Sequence, residues 1–569
     1  LGVAIVPLSD EKLAVRVAGY YRYNHGYIDN TFLNIEDINS EKNYGARLLL
    51  RAKPTERLTV DLAAYFNKST TDTPLWILGG DEYDTDNRTR LPIRDKLALY
   101  SATAAYDLGD VTATGVISYM DRSLASSTDT SRFIQNMRTP AACSRNLLAN
   151  ARACTTGADS ELTGYYGLVD SQSTSQLYPQ QNFGALSAEL RLNSTGKGPF
   201  TWTAGVFYSR RDTDVLNPQL AVDPASGVII DPPIFFTRRT INDVLTQYAA
   251  FAEVSWDVTS RLNLTGGFRF FRYTRKVGAE TSVPSILVGA TLTPNTVVFG
   301  KENGQVFKAN ASYKLTPDIM LYAEAAQGFR PGGVNQVFGL PQALTPYESD
   351  KLWNYEAGIK TSLFDRRLIL NVDAFLINWT NMQISARTPN GAFAFITNAG
   401  AARVKGVEVE ATVRPIEGLS IQSSAAYIRA KLTENQANPQ VLAPGLAGDP
   451  VPFVPKFTAA VGAQYIRAVS DTLQAPYRVG FNQTSASRSD FRPFSAAAPF
   501  TRDIKGYDLV NLRLGVETQD ADWGAYIFVT NLFDAQAISR AFSNGIAVGK
   551  TNVTSARPRT IGLNVRKAF

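Results

Sequence analysis

The 569-residue chain has a single histidine, His25, and two cysteines, Cys143 and Cys154. One imidazole excludes a multi-histidine metal site and a Ser-His triad of the usual sort. The acids are scattered over strands and turns, so no catalytic residue, metal site or cofactor is expected. His25 itself reads as a solvated residue at the top of a strand. Long apolar runs are also missing. Hydrophobic residues make up 44% of the chain and its mean hydropathy is −0.13, and no uninterrupted stretch reaches the roughly 20 apolar residues that a membrane-spanning helix needs. Net charge is scarce too: 57 Lys and Arg against 51 Asp and Glu leave +6, too small an excess at this length to point to nucleic acid. No Pro-, Ser- or charge-rich stretch divides the chain, so one continuous architecture over residues 1–569 is expected. A leader peptide is not evident, which says nothing about export.

What is present is alternation. In 353–363 the residues Trp353, Tyr355, Ala357, Ile359, Thr361 and Leu363 alternate with Asn354, Glu356, Gly358, Lys360 and Ser362, the period-2 signature of a strand with one apolar face. Phe364-Asp365-Arg366-Arg367 is a tight polar turn. The return arm puts Leu368, Leu370, Val372, Ala374 and Leu376 on one face and Asn371 and Asp373 on the other, with Trp379 just past its end. Each arm has about the 9–11 residues of a tilted membrane-crossing strand.

The same hairpin recurs along the chain. Residues 3–6 turn into Leu13, Val15, Val17, Gly19, Tyr21 and Tyr23, and Leu48, Leu50 and Ala52 turn into Leu58, Val60, Leu62, Ala64 and Phe66. Further short turns fall at 107–110, 193–199, 257–261, 315–319, 364–367, 414–418, 468–475 and 518–521, with Gly, Pro, Asp, Asn and Ser in most of them. Long connections lie opposite, at 121–182, 211–246, 273–304 and 433–456. Short turns on one side and long loops on the other characterise a transmembrane antiparallel up-and-down β-barrel. A β-propeller would need a recurring blade signature and would not place its long loops on one side only. The count is roughly 21 strands where single-chain bacterial barrels have even numbers, so about 22 are expected in the parent protein, with the first strand preceding Leu1. The last strand, 559–569, alternates Ile561, Leu563 and Val565 with Gly562, Asn564 and Arg566 and ends on Phe569.

Several stretches carry a family resemblance: Gly328-Phe329-Arg330-Pro331-Gly332-Gly333-Val334-Asn335, Leu352-Trp353-Asn354-Tyr355-Glu356-Ala357-Gly358, Asn398-Ala399-Gly400 followed by Gly406-Val407-Glu408, and Thr530-Asn531-Leu532-Phe533-Asp534. With the aromatic terminal strand, the chain resembles the barrel of a TonB-dependent outer-membrane receptor along nearly all its length. The resemblance implies a protein of the Gram-negative outer membrane, set in its lipid, that takes up a scarce ligand, most often a ferric siderophore. The energy would come from the TonB-ExbB-ExbD system through an amino-terminal region, and a plug upstream of Leu1 would close the barrel. Haem is not expected as the ligand: haem receptors of the family depend on histidine ligation, and Phe329-Arg330-Pro331 matches their motif only in part. The alternative function is a passive outer-membrane porin, and a further one is an adhesin or phage-receptor barrel.

Cys143 and Cys154 lie in the longest loop. Two cysteines in an exported loop point to a disulfide rather than a metal site, which would want more ligands. Ligand selection is expected in the long loops and on the inward rim. Arg330, Asn335, Arg387, Asn398, Tyr165 and Tyr166 are the candidates for an anionic, aromatic-bearing ligand such as a catecholate or carboxylate iron chelate.

Overall fold

A computed structural model describes residues 2–9, 12–73, 75–78, 82–196, 198–337, 340, 342–387, 394–436, 441, 444–489, 491, 503–543 and 551–568. They build one antiparallel 23-stranded sheet. Two of its strands, Thr128–Asp129 and Ser175–Leu177, are short extensions at the long-loop end. The other 21 form a meander in which each strand pairs with its chain neighbours, the number and connectivity that the alternation predicts.

The register explains why the faces are continuous. In the hairpin Asp350–Leu363 and Leu368–Thr380, Tyr355 lies opposite Leu376, Ala357 opposite Ala374 and Ile359 opposite Val372. Ala374 in turn faces Val407, and Val407 faces Tyr427. Directly opposed residues point to the same side, so the expected apolar face runs unbroken across four strands. Trp379 lies inside its strand rather than past the end, because the ladder runs on to Lys351 opposite Thr380. Aromatics of the outer face include two belts. Phe200, Trp256, Tyr313, Tyr465, Tyr477 and Trp523 are exposed near the short turns, and Tyr21, Tyr44, Tyr100, Tyr248 and Tyr355 nearer the long loops. Such girdles bound the lipid-facing band of a transmembrane barrel. Among the described residues no helix is long and apolar enough to cross a membrane.

The inner face is polar, with Arg122 bound to Asp95 at 2.6 Å and the Tyr322 hydroxyl donating to Glu356 at 2.6 Å. Glycines on this face have a specific use. Phe251, Phe271, Tyr322, Phe375 and Phe528 stand directly opposite Gly205, Gly304, Gly358, Gly406 and Gly562. A Cβ on any of those glycines would overlap the facing ring, so the ring lies over bare backbone and covers it.

Two expected loops are largely strand. Phe200–Ala221, Phe235–Asp257, Leu262–Val283 and Thr293–Thr316 have 22, 23, 22 and 24 residues, about twice the crossing length. They carry the ladder through most of 211–246 and 273–304. Above the membrane both faces of these hairpins meet water, so apolar alternation stops while pairing continues, as in Arg210-Arg211-Asp212-Thr213-Asp214. The loop 433–456 falls where expected, between Leu419–Leu432 and Phe457–Ala468.

The two ends of the meander meet at the rim. Ile538–Ser543 and Thr551–Ser555 form a three-stranded sheet with Trp76–Leu78, and Arg557 pairs with Glu41 at 3.5 Å. Arg557 also donates to the His25 carbonyl at 3.2 Å, and His25 is exposed there, beside the ring of Tyr23. Below this tie, Gly2–Ser9 pairs only with Leu13–Asn24 and Thr560–Lys567 only with Trp523–Thr530 among the described residues. Phe569 lies outside the described residues.

Candidate functional site

At the long-loop rim the wall parts. Ile319–Arg330 pairs with Thr293–Thr316 only as far as Lys308 opposite Ala326. Past that point Gln327 Oε1 accepts from the Phe307 N–H at 3.1 Å, and Phe329 stacks on the buried Phe271 with ring centroids 3.7 Å apart. Residues 331–337 and 342–349 line the parting, with Gly333–Val334 paired to Pro346–Tyr347. A buried polar knot fixes them. The Gly332 N–H donates to Tyr273 Oη at 2.7 Å and to Ser349 Oγ at 3.2 Å, and both hydroxyls donate to Glu302. Arg275 grips Asp243 at 2.9 and 2.6 Å and reaches Tyr347 Oη at 2.6 Å. A Cβ on Gly332 would meet the Tyr347 carbonyl oxygen at 2.6 Å, and one on Gly333 would overlap Arg275 and Tyr347. The Gly-Gly pair is there for room. A cleft of about 720 Å³ lies alongside, lined by Tyr273, Glu302, Tyr347, Ser349, Lys351 and Asn381 among others.

Asp350 is the hub next to this knot. Buried at 2% exposure, it accepts from the Arg330 guanidinium, from Trp379 Nε1 at 3.1 Å and from the Gln383 N–H at 3.2 Å. Arg330 also lies over the Trp379 ring, 5.5 Å from its centroid. Gln383–Arg387 pairs with Ala394–Asn398 as a small hairpin above it.

The longest loop builds a separate cap. It contains the helices Ser131–Gln135, Pro140–Leu148 and Glu161–Ser171. The last two are capped by Thr139 and Ser160, whose hydroxyls accept from the Ala142 and Thr163 N–H groups at 3.1 and 3.2 Å. Cys143 and Cys154 are joined in a disulfide. They are buried with Ile134, Tyr165 and Val169 against Leu287 and Val288 from the tip of a tall hairpin. Asn146 Nδ2 ties the two parts, donating to Tyr165 Oη at 2.9 Å and to the Leu287 carbonyl at 3.1 Å. On the surface Arg152 holds Glu161 at 2.6 and 2.9 Å, and the Thr155 N–H donates to it at 3.1 Å. Those donors lower the Glu161 carboxyl to about 2.

The predicted ligand residues separate into binders of loops and free surface. Tyr165 is only 2% exposed; it is core of the cap, and burial raises its hydroxyl, so it cannot meet a ligand directly. Asn335 spends its amide on chain: Nδ2 donates to the Ile396 and Leu344 carbonyls at 2.7 and 3.1 Å, and Oδ1 accepts from the Ile396 N–H at 2.9 Å. Asn398 does likewise, accepting from the Glu348 N–H at 2.7 Å and donating to the Glu348 and Asn381 carbonyls at 3.0 and 2.9 Å. Both are clamps for a platform rather than open ligand groups. Arg330 is half-exposed yet committed to Asp350. Tyr166 is partly buried, packed against the core of the cap, with the Arg138 guanidinium 4.4 Å from its centroid. Arg387 ends its strand, and its side chain lies outside the described residues. The sequence reading missed Asp350, Tyr273, Glu302 and Ser349. Asp350 was within reach, since it continues the inward parity of Leu352, Asn354 and Glu356. The motif Thr530-Asn531-Leu532-Phe533-Asp534 is another clamp: Asn531 Nδ2 donates to the Ala535 and Arg557 carbonyls at 3.0 and 3.1 Å.

Residues 16–532 match the family model described as TonB dependent receptor-like, beta-barrel. The pesticin receptor of Yersinia pestis is 26% identical over 324 residues, 56% of this chain and 43% of that receptor. The rhizobactin receptor of Rhizobium meliloti is 35% identical over 164 residues, 24% of this chain and 22% of that one. These matches therefore span less than half the length of either relative. The crystal structure of the ferric yersiniabactin uptake receptor FyuA from Yersinia pestis superimposes with a TM-score of 0.78 at 17% identity, over 100% of this chain and 77% of that one, a likeness of fold. The chain belongs to the TonB-dependent receptors of the Gram-negative outer membrane and comprises their β-barrel.

Proposed function

We propose that this barrel belongs to a receptor for energised uptake of a ferric siderophore. In the parent protein a plug preceding Leu1 would close the lumen, and TonB-ExbB-ExbD would drive transport through that amino-terminal region. The observation that carries the reading is the rim. A polar inner face lies under loops tied by Asp350, Asn335, Asn398 and the Tyr273-Ser349-Glu302 knot. A rigid platform of this kind suits recognition of one ligand, whereas a passive pore gains nothing from it. The relatives' names, receptors for pesticin and rhizobactin and an uptake receptor for ferric yersiniabactin, support the same class. Recognition is assigned to Arg330 and Arg387, at the platform that the two asparagines hold, and to Tyr166 on the separate cap.

Growth of a deletion strain on single ferric chelates, with and without the parent gene and with and without TonB, tests this. Growth restored by the gene on one siderophore only in TonB-competent cells is the expected result. Equal rescue without TonB would favour the passive porin.

A further inference from the structure

On the lipid-facing side of Ala402–Val413 and Leu419–Leu432 stand four cations in a square. Arg403 is directly opposite Lys431, and Lys405 directly opposite Arg429. All four are exposed. Their neighbours along the strands, Ala402, Ala430 and Leu432, are buried on the other side, which fixes the outward orientation of the cations. Like charges directly opposed across a ladder repel, and here two such pairs are stacked. Among the described residues no carboxylate lies within ion-pair distance of any of the four. Arg403 Nε donates to Asn378 Oδ1 at 2.9 Å. Asp449, beside the Pro450 that bridges Lys431, accepts from the Leu446 N–H at 2.8 Å.

The register sets the height of this square. One row reads Trp353, Asn378, Arg403, Lys431; the next reads Tyr355, Leu376, Lys405, Arg429; the row below is Ala357, Ala374, Val407, Tyr427. Trp353 and Tyr355 stack on each other at 5.7 Å as part of the girdle nearer the long loops, and girdle aromatics sit at headgroup level. The cations are therefore level with the headgroups, one row above apolar wall, on the side of the long loops. In barrels of this kind that side faces outward.

We propose that Arg403, Lys405, Arg429 and Lys431 bind the phosphate groups of a phosphorylated lipid of the outer leaflet. Guanidinium forks and ammonium groups together suit phosphate oxygens. A patch flush with the lipid-facing wall is reached by a headgroup whose chains pack below it on Val407 and Tyr427.

The test uses the purified, delipidated protein in neutral detergent, titrated with lipid A, a bis-phosphorylated glycolipid, and read by native mass spectrometry. Each cation near an anionic surface contributes enough that the double variant Lys405→Gln/Arg429→Gln should bind lipid A about thirtyfold more weakly. Arg366→Gln/Arg367→Gln, at a short turn on the opposite rim, should bind as the parent does. Relief of the opposed charges should leave the Lys405→Gln/Arg429→Gln barrel at least as heat-resistant as the parent in lipid-free detergent. If it fails to fold, Arg403→Gln/Lys431→Gln carries the same comparison. Unchanged affinity in the folded variant would overturn the proposal, as would equal binding of dephosphorylated lipid A. Displacement of lipid A by millimolar inorganic phosphate would overturn the lipid as occupant.

Discussion

At Glu161 one carboxylate holds the start of a helix, the end of the disulfide loop and Arg152 together. Its pKa is depressed to about 2, chiefly by Arg152 and then by the Thr155 N–H, against about 4.5 in an unfolded chain. A depressed carboxyl stabilises the fold above its unfolded value and loses that contribution as pH falls through the folded one. The cap should therefore loosen between pH 4.5 and 2 and not between 8 and 5. Hydrogen exchange of residues 155–163 should quicken across the acid window, after correction for intrinsic rates, and Glu161→Gln should abolish the step. A pH-independent corrected profile would remove Glu161 from that role. Residues of this loop were legible to different degrees. The disulfide could be read, because two cysteines in an exported loop leave few other readings. Tyr165 and Tyr166 could not be told apart, because consecutive helical residues point to different sides and nothing in the sequence shows which side meets the Leu287 tip. Asn335 and Asn398 carry a chemical ambiguity: the same amide can recognise a ligand or satisfy loop backbone, and here it bonds to loop backbone.

Single elements were legible wherever one face met lipid. Val372, opposite Ile359 and Val409, lies midway between turn and girdle on the lipid face, and Asn371, opposite Lys360 and Glu410, faces the lumen. An arginine on the lipid face at mid-depth costs roughly 2–4 kcal/mol. Val372→Arg should lose that much in reversible folding into lipid vesicles, whereas Asn371→Arg, beside Glu410, should lose little. Equal losses would mean that the faces are assigned wrongly. One lipid-face hydroxyl obeys the same physics: Thr361 Oγ1 donates to the Leu370 carbonyl at 2.8 Å, so its polarity is spent on backbone. The alternation that gives these faces depends on lipid. Where the tall hairpins leave the membrane, both faces are wet and the pattern fades although the ladder does not, which is why 211–246 and 273–304 read as loops.

For the whole molecule the decisive feature is the pair of edges Gly2–Ser9 and Thr560–Lys567, which share no hydrogen bond among the described residues. The loops above them are already joined, through the sheet of Trp76–Leu78 with Thr551–Ser555 and through Arg557 on Glu41. The wall thus comes round to its own beginning at the rim and, among the described residues, shows no ladder lower down. In hydrocarbon each unpaired backbone group costs several kcal/mol, and only a closed sheet avoids it. A strand supplied between the two edges would satisfy both and bring the 21 crossings to the even number usual in bacterial barrels. Residues 1–569 alone should therefore refold poorly into detergent or lipid and give little of the compact, fast-migrating form that closed barrels keep on unheated gels. A chain extended at its amino terminus by one further amphipathic strand should give that form in high yield. Pairs of cysteines placed at the two edges, one on Ala4 and one on Leu563, separate the possibilities further. Ready crosslinking together with a stable compact band from 1–569 would mean that the edges close on each other and that no added strand is required.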